Sequence, residues 1–249
     1  MTERITSAVL VAVVLVCSIA CGAQRTAPGA TSSVHAVATT GSSTPDVPPL
    51  SAAARAAGFV DVRSVVLDAI VDLRYATPNN FTGAPLYPAD ARCLVHESMA
   101  PGLGAAAAAL RPQGDALVFW DCYRPHDVQV KMFDAVPNPA WVARPGPYAR
   151  SHVAGRSVDV TLASEQAQCP PDQRVARFCL LDMGTDFDDF SPRALAYATD
   201  GVSADAQANR GRLRAAMNAG GLTVYSGEWW HFDGPGAAVD RPILDVPVD

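Results

Sequence analysis

Apolar residues crowd positions 65–75, where Val65, Val66, Leu67, Ala69, Ile70, Val71, Leu73 and Tyr75 are broken only by Asp68, Asp72 and Arg74. A short, β-branched apolar run of this kind reads as a strand. Thr77-Pro78-Asn79-Asn80-Phe81-Thr82-Gly83 follows, rich in turn formers and therefore a loop. Residues 97–110 are Ala-rich and predict a helix, weakened in its first turn by Pro101, Gly102 and Gly104. Residues 116–120, Ala-Leu-Val-Phe-Trp, lie between a glycine and a polar cluster, which predicts a buried strand. A helix is expected over 125–134 with Pro125 near its start, and a strand over 156–162, where polar and β-branched residues alternate. The clearest helix spans 204–219: Leu213, Ala216 and Met217 share one face, and Gly220-Gly221 ends it. Two strands, 222–225 and 228–232, complete the pattern. No internal repeat is visible. The mixture predicts a single α+β domain with helices packed on an antiparallel sheet.

The N-terminus departs from this pattern. Arg4 precedes an apolar run at 8–20 that is interrupted only by Ser18. A short positive segment, a short apolar core and small residues after it describe an export signal, and the run is short for a membrane-spanning helix. Ser18-Ile19-Ala20-Cys21-Gly22 looks like a lipoprotein cleavage site, with Cys21 as the lipidated residue. Residues 1–21 are therefore expected to be a signal peptide of lipoprotein type, with ordinary cleavage and secretion as the alternative. Residues 22–49 are Ala, Thr, Ser, Gly and Pro with few large apolar side chains. Such a stretch buries too little surface to offset chain entropy and reads as a flexible tether. The folded domain is expected over 50–249, outside the cytoplasmic membrane and facing the periplasm or cell wall.

Charge and cysteines narrow the classes. The 249 residues carry a net charge of −6 with no Lys/Arg stripe, which argues against a nucleic-acid partner. Of six cysteines, Cys93, Cys122, Cys169 and Cys179 lie beyond the leader. An even count in an exported chain suggests disulfides. Cys169 with Cys179 would close a short loop and leave Cys93 with Cys122; free buried thiols are the alternative. No C-x-x-C spacing indicates a cysteine-rich zinc site.

The chemistry concentrates around two of five histidines. One stands in Ser151-His152-Val153-Ala154-Gly155-Arg156-Ser157-Val158-Asp159, the other in Glu228-Trp229-Trp230-His231. A catalytic zinc takes three His or carboxylate ligands and keeps a fourth position open. His152, Asp159 and His231 can supply such a set, with Gly155 freeing the turn between the first two. Glu228, three residues before His231, would face away from it in a straight strand. A bend beside Gly227 would instead bring it next to the attacking water as general base. Arg124, in Asp121-Cys122-Tyr123-Arg124-Pro125, sits at a strand–helix turn where a guanidinium can hold an oxyanion or a carboxylate. Each motif also has a structural reading, as a surface histidine, an aromatic core strand or a salt-bridged turn. His96 and His126 are expected to be structural or surface residues.

Taken together, these blocks resemble the D-alanyl-D-alanine dipeptidases, the zinc peptidases that include the vancomycin-resistance dipeptidases. The resemblance rests on Asp72-Leu73-Arg74-Tyr75-Ala76-Thr77 with Asn80-Phe81-Thr82-Gly83, Trp120–Pro125, Ser151-His152, Ser157–Leu162, Met183-Gly184-Thr185, Phe187-Asp188, Asn209-Arg210 and Glu228–His231. It implies the fold shared with zinc D,D-carboxypeptidases and the Hedgehog signalling domain. It also implies one zinc on His152, Asp159 and His231, Glu228 as base and acid, and Arg124 stabilising the tetrahedral intermediate. Asp188 matches a carboxylate near the substrate's free amino group. Arg150 stands where the family often has a second serine, and the stretch from Arg124 to His152 is shorter, which predicts a more open pocket. D-Ala-D-Ala is the expected substrate. The alternatives are a D,D-carboxypeptidase trimming longer wall peptides and a non-catalytic, zinc-containing wall-binding module. The membrane enters only through the lipid anchor.

Overall fold

A computed structural model of the chain describes residues 47–249. The expected signal peptide 1–21, its Cys21, and all but the last three residues of the expected tether lie outside the described residues. Pro48 and Pro49, assigned to the tether, are tied to the domain: the buried Arg92 guanidinium donates to their carbonyls at 2.8 and 3.1 Å, and its Nε donates to Asp61 at 2.9 Å.

In chain order the elements are helix α1 (Ala52–Ala56), strands β1 (Phe59–Asp61), β2 (Ile70–Val71) and β3 (Leu94–His96), helix α2 (Ala100–Leu110), strand β4 (Asp115–Asp121), helix α3 (His126–Ala135), strands β5 (Ser157–Ser164), β6 (Arg174–Val175) and β7 (Phe178–Leu180), helix α4 (Ala204–Ala219), and strands β8 (Thr223–Val224) and β9 (His231–Asp233). Among the described residues no helix is long and apolar enough to cross a membrane. The expected strand over 65–75 shrinks to β2, because the chain turns in short 3-10 segments at Val62–Ser64 and Arg74–Ala76. β4 extends the expected 116–120 strand by one residue at each end, and β5 starts one residue later than the expected 156–162 strand and ends two later; every residue of both is buried.

The main sheet is built on β5. From Asp159 to Ser164 it pairs antiparallel with β4; on its other edge Ser157–Asp159 pair with β9 and the C-terminal end with β7. β6 extends β7, β8 extends β9, and β2 closes the β4 edge as the one parallel pair. β1 and β3 form a separate two-stranded ribbon. α2 and α4 approach closely enough that a Cβ on Gly220 would stand 2.1 Å from the Gly102 carbonyl oxygen, so glycine is required at that contact. The architecture is the α+β domain that the alternation of patterns predicts.

Both candidate disulfides are present, Cys93–Cys122 and Cys169–Cys179. The first spans 29 residues, worth about 3–4 kcal/mol in the loop-entropy account, and it fixes the chain immediately before Tyr123-Arg124.

Gly155 is the turn on which the site depends. Its φ is +62°, and an added Cβ would sit 2.2 Å from Cε1 of Phe59. That ring is buried and packed on Tyr123 at 4.6 Å between centroids, so it has no room to retreat. Gly155→Ala is expected to cost roughly 2–4 kcal/mol from backbone strain and overpacking, lowering Tm by about 5–15 °C in a thermal melt. An unchanged Tm would mean that Phe59 gives way.

Candidate active site

Three strands place one row of residues across the sheet. Asp121 of β4 is the register partner of Asp159 on β5, and Asp159 is in turn the partner of His231 on β9. Directly paired residues project to one face, so the pairing alone gathers two carboxylates and an imidazole. The fourth member, His152, rides on a 3-10 turn, Ser151–Ala154, whose end is the left-handed Gly155. Ser151 itself has φ +48°, an uncommon conformation for a non-glycine residue and one found preferentially at functional sites.

His152 Nε2, Asp159 Oδ1 and His231 Nδ1 form a triangle with sides of 3.0–3.1 Å. The far nitrogens are both engaged. His152 Nδ1 lies 2.8 Å from the Cys122 carbonyl, and His231 Nε2 lies 3.1 Å from Asp233 Oδ1. Those acceptors hold the ring protons on the outer nitrogens and turn two lone pairs and an anionic oxygen toward one point. Three electron-rich atoms at this separation repel unless a cation lies between them. A tetrahedral zinc with bonds of about 2.0–2.1 Å spaces its ligands comparably. Among the described residues this is the group able to hold a metal ion.

The electrostatics agree. Burial alone would pull the His231 pKa down, but the carboxylates of Asp159 and Asp233 outweigh it and push it up to about 10. Asp159 is held well below the usual carboxylate range, its burial outweighed by the two imidazoles. Without a cation in the triangle, the two carboxylates therefore favour a proton on His231, which a metal ion would displace.

Glu228 stands beside the triangle, its Oε2 3.8 Å from His231 Nδ1. The bend that the spacing requires is a turn rather than a bulge within a strand. The expected strand 228–232 begins only at His231, and the Tyr225 amide donates to the His231 carbonyl across the turn. Burial raises the Glu228 pKa above its ordinary value, with the Asp159 charge adding to it against the pull of His231. Trp229 and Trp230 are buried, and the Trp229 indole donates to Thr185 at 2.8 Å. The aromatic pair is thus core, and it anchors the turn that presents Glu228.

Arg124 is clamped rather than free. Nε and Nη2 donate to Asp121 Oδ2 at 2.9 and 2.7 Å, and Nη1 donates to Gln129 at 2.7 Å. Asp121 is fully buried and also accepts from Tyr87 Oη at 2.6 Å. Asp188, with φ +57°, accepts from Tyr75 Oη at 3.0–3.1 Å. Burial, then the negative charge of Asp159, drives its pKa well above the usual range. Its loop is pinned by Arg210 of α4, which donates to the carbonyls of Met183 and Arg193.

His152, Asp159, His231, Glu228, Arg124 and Asp188 line one cavity of about 620 Å³, within the range of small-molecule sites. Arg150 reaches its rim and pairs with Asp240. His126, expected to be structural or at the surface, lies on the cavity wall and contacts the Gly146 carbonyl at 3.0 Å. His96 stays behind the site, hydrogen-bonded to Ser98 and Arg156.

Sequence reasoning missed Asp121, Tyr75 and Asp233 as individual site residues. Asp233 left a signal, since i and i+2 in a strand share a face with His231. Asp121 and Tyr75 lay inside recognised blocks, but their partners are 3 and 113 residues away.

Comparison with known proteins agrees with this arrangement. The family profile described as D-ala-D-ala dipeptidase, within peptidase family M15, matches residues 55–249. The chain is 35% identical over 186 residues to a D-alanyl-D-alanine dipeptidase of Escherichia coli (strain K12), covering 75% of this chain and 89% of that one. It is 30% identical over 215 residues to one of Enterococcus faecium, covering 77% and 98%. It is 32% identical over 180 residues to one of Streptomyces coelicolor, covering 65% and 83%. With a match that runs from the first helix to the final residue, this chain belongs to the D-Ala-D-Ala dipeptidase family of peptidases.

Proposed function

We propose that this protein hydrolyses D-alanyl-D-alanine, using zinc held by His152, Asp159 and His231 and Glu228 as the catalytic base. The observation that carries the reading is Asp188. It is a carboxylate on the wall of the cavity that holds the three ligands, its side chain bonded only to the neutral Tyr75 hydroxyl among the described residues. A dipeptide brings an ammonium close to its scissile bond, and that ammonium supplies the counter-charge Asp188 lacks.

Zinc, when bound, supplies Lewis acidity that lowers the pKa of water from about 15.7 toward about 7. The remaining work falls to the chain. Glu228, with its affinity for a proton raised by burial, takes the proton of the attacking water and delivers it to the leaving amine. Arg124, held rigidly by Asp121 and Gln129, offers positive charge to the developing oxyanion. Asp188 fixes the amino end, so the carbonyl between the two residues is the one presented. The leader-like sequence of residues 1–21 supports a reaction outside the cytoplasmic membrane, with Cys21 as a lipid anchor or, after ordinary cleavage, the protein secreted.

A D,D-carboxypeptidase is the second reading, favoured by a cavity of about 620 Å³, more than two alanines fill. Hydrolysis of D-Ala-D-Ala beside a wall pentapeptide ending in D-Ala-D-Ala, with and without chelator, separates them. Chelator-sensitive cleavage of the dipeptide alone is the expected result. Cleavage of the pentapeptide would move the protein to the carboxypeptidase reading, and cleavage of neither would leave a binding module.

A further inference from the structure

The cavity wall is not uniform. On one side Tyr148, Arg150 and Asp240 are all exposed, so this part is wet and open. Elsewhere, next to Asp188, the wall is aromatic, with one part of Trp141 left exposed. The Trp141 ring stacks on Phe190 at 5.5 Å and 29°, and Phe190 meets Phe81 at 5.3 Å. Phe81 meets the edge of Tyr75 at 6.3 Å, and Tyr75 holds Asp188. Phe190 is also only two residues along the chain from Asp188. The aromatic stack therefore adjoins the place where a substrate's amino group would be read.

Trp141 is held there from both sides. Its amide donates to Asn138 O at 3.0 Å, and Ala143 O accepts from Gln129 Nε2 at 2.7 Å. The same Gln129 accepts from Arg124. One glutamine thus fixes both the guanidinium at the reacting centre and the segment that carries Trp141. Pro139 and Pro145 restrict the backbone around it.

From this geometry we infer that Trp141 is a specificity-determining residue, whose stack on Phe190 blocks peptides extended beyond the amino end of the dipeptide. The inference rests on the proposed peptidase reading and deepens it. Two separate effects reject a longer peptide: the lost ammonium at Asp188 and the collision with Trp141. An N-acetylated D-Ala-D-Ala suffers mainly the first, and L-Lys-D-Ala-D-Ala suffers both.

The test compares kcat/KM for D-Ala-D-Ala, N-acetyl-D-Ala-D-Ala and L-Lys-D-Ala-D-Ala in the zinc-loaded wild type, Trp141→Ala and Trp141→Phe. Trp141→Ala is expected to raise the ratio of tripeptide to N-acetyl-dipeptide turnover by about tenfold or more. Trp141→Phe, which preserves a stacked ring, is expected to leave that ratio near wild type. An unchanged ratio in Trp141→Ala, and again in Trp141→Ala with Phe190→Ala, would overturn the inference while the dipeptidase reading stands. Wild-type cleavage of the tripeptide as fast as the dipeptide would also overturn it, in favour of a carboxypeptidase. A wild type inactive on all three would remove both together.

Discussion

Glu228→Gln is expected to retain one equivalent of zinc and lose about 10²–10⁴-fold in kcat on D-Ala-D-Ala, the usual contribution of a positioned acid–base group. The amide keeps the size and hydrogen-bonding outline of the side chain but can no longer accept a proton. Glu228 lies 3.8 Å from His231 Nδ1, whereas the three converging atoms lie 3.0–3.1 Å apart. On the proposed reading, that difference in distance makes Glu228 a neighbour of the metal rather than a ligand. Kinetics and metal analysis on one preparation decide the point. A full kcat with normal zinc would assign the proton transfer to another group. Loss of zinc with loss of turnover would make Glu228 a ligand and require a new base.

Much of this site was legible because its parts are local. His152, Gly155 and Asp159 fall within eight residues, and Glu228 and His231 within four, so their spacing could be read against the demands of a metal centre. The central strands were legible for a different reason. β4 is an apolar run that declares its burial directly, and β5 shows as an alternation of β-branched and polar residues, although the structure buries both strands along their full length. The strand expected at 65–75 was overcalled because its apolar residues serve two structures. Val62 and Val66 pack into the core from a 3-10 turn and the residues after it, and only Ile70 and Val71 join the sheet. β1, β3, β6 and β7 escaped notice because strands of two or three residues show too little alternation to stand out.

The supporting residues were hidden for another reason. Asp121 clamps Arg124 three residues on and Asp233 orients His231 two residues back, while Tyr75 positions Asp188 from 113 residues away, a contact that only the fold creates. A carboxylate before an arginine has no pattern of its own. Its role appears when register sets Asp121 opposite Asp159 and burial leaves Arg124 as its counter-charge. The more open pocket implied by the short 124–152 stretch was half of the picture. The cavity is wet at the Arg150 rim, while Trp141, from the same short stretch, stacks against Phe190 on its wall.

His231→Ala is expected to lower zinc affinity by more than the roughly 10–100-fold that losing an outer partner such as Asp233 costs, and to abolish turnover. The argument is geometric. His231 Nδ1 is one corner of the triangle, and two remaining donors, His152 Nε2 and Asp159 Oδ1 at 3.1 Å, leave half of a tetrahedron to solvent. A fold defect would also lose zinc, so stability has to be read with affinity. Zinc at about a hundred times its Kd adds about 2.7 kcal/mol to the wild type by linkage, or on the order of 5–10 °C in Tm for a domain of this size. Chelated wild type and His231→Ala should therefore melt within a few degrees of each other, and only the wild type should rise when zinc is restored. A variant that melts far below the chelated wild type would show His231 holding the sheet edge as well as the metal. A variant that still gains stability from zinc would remove His231 from the ligand set.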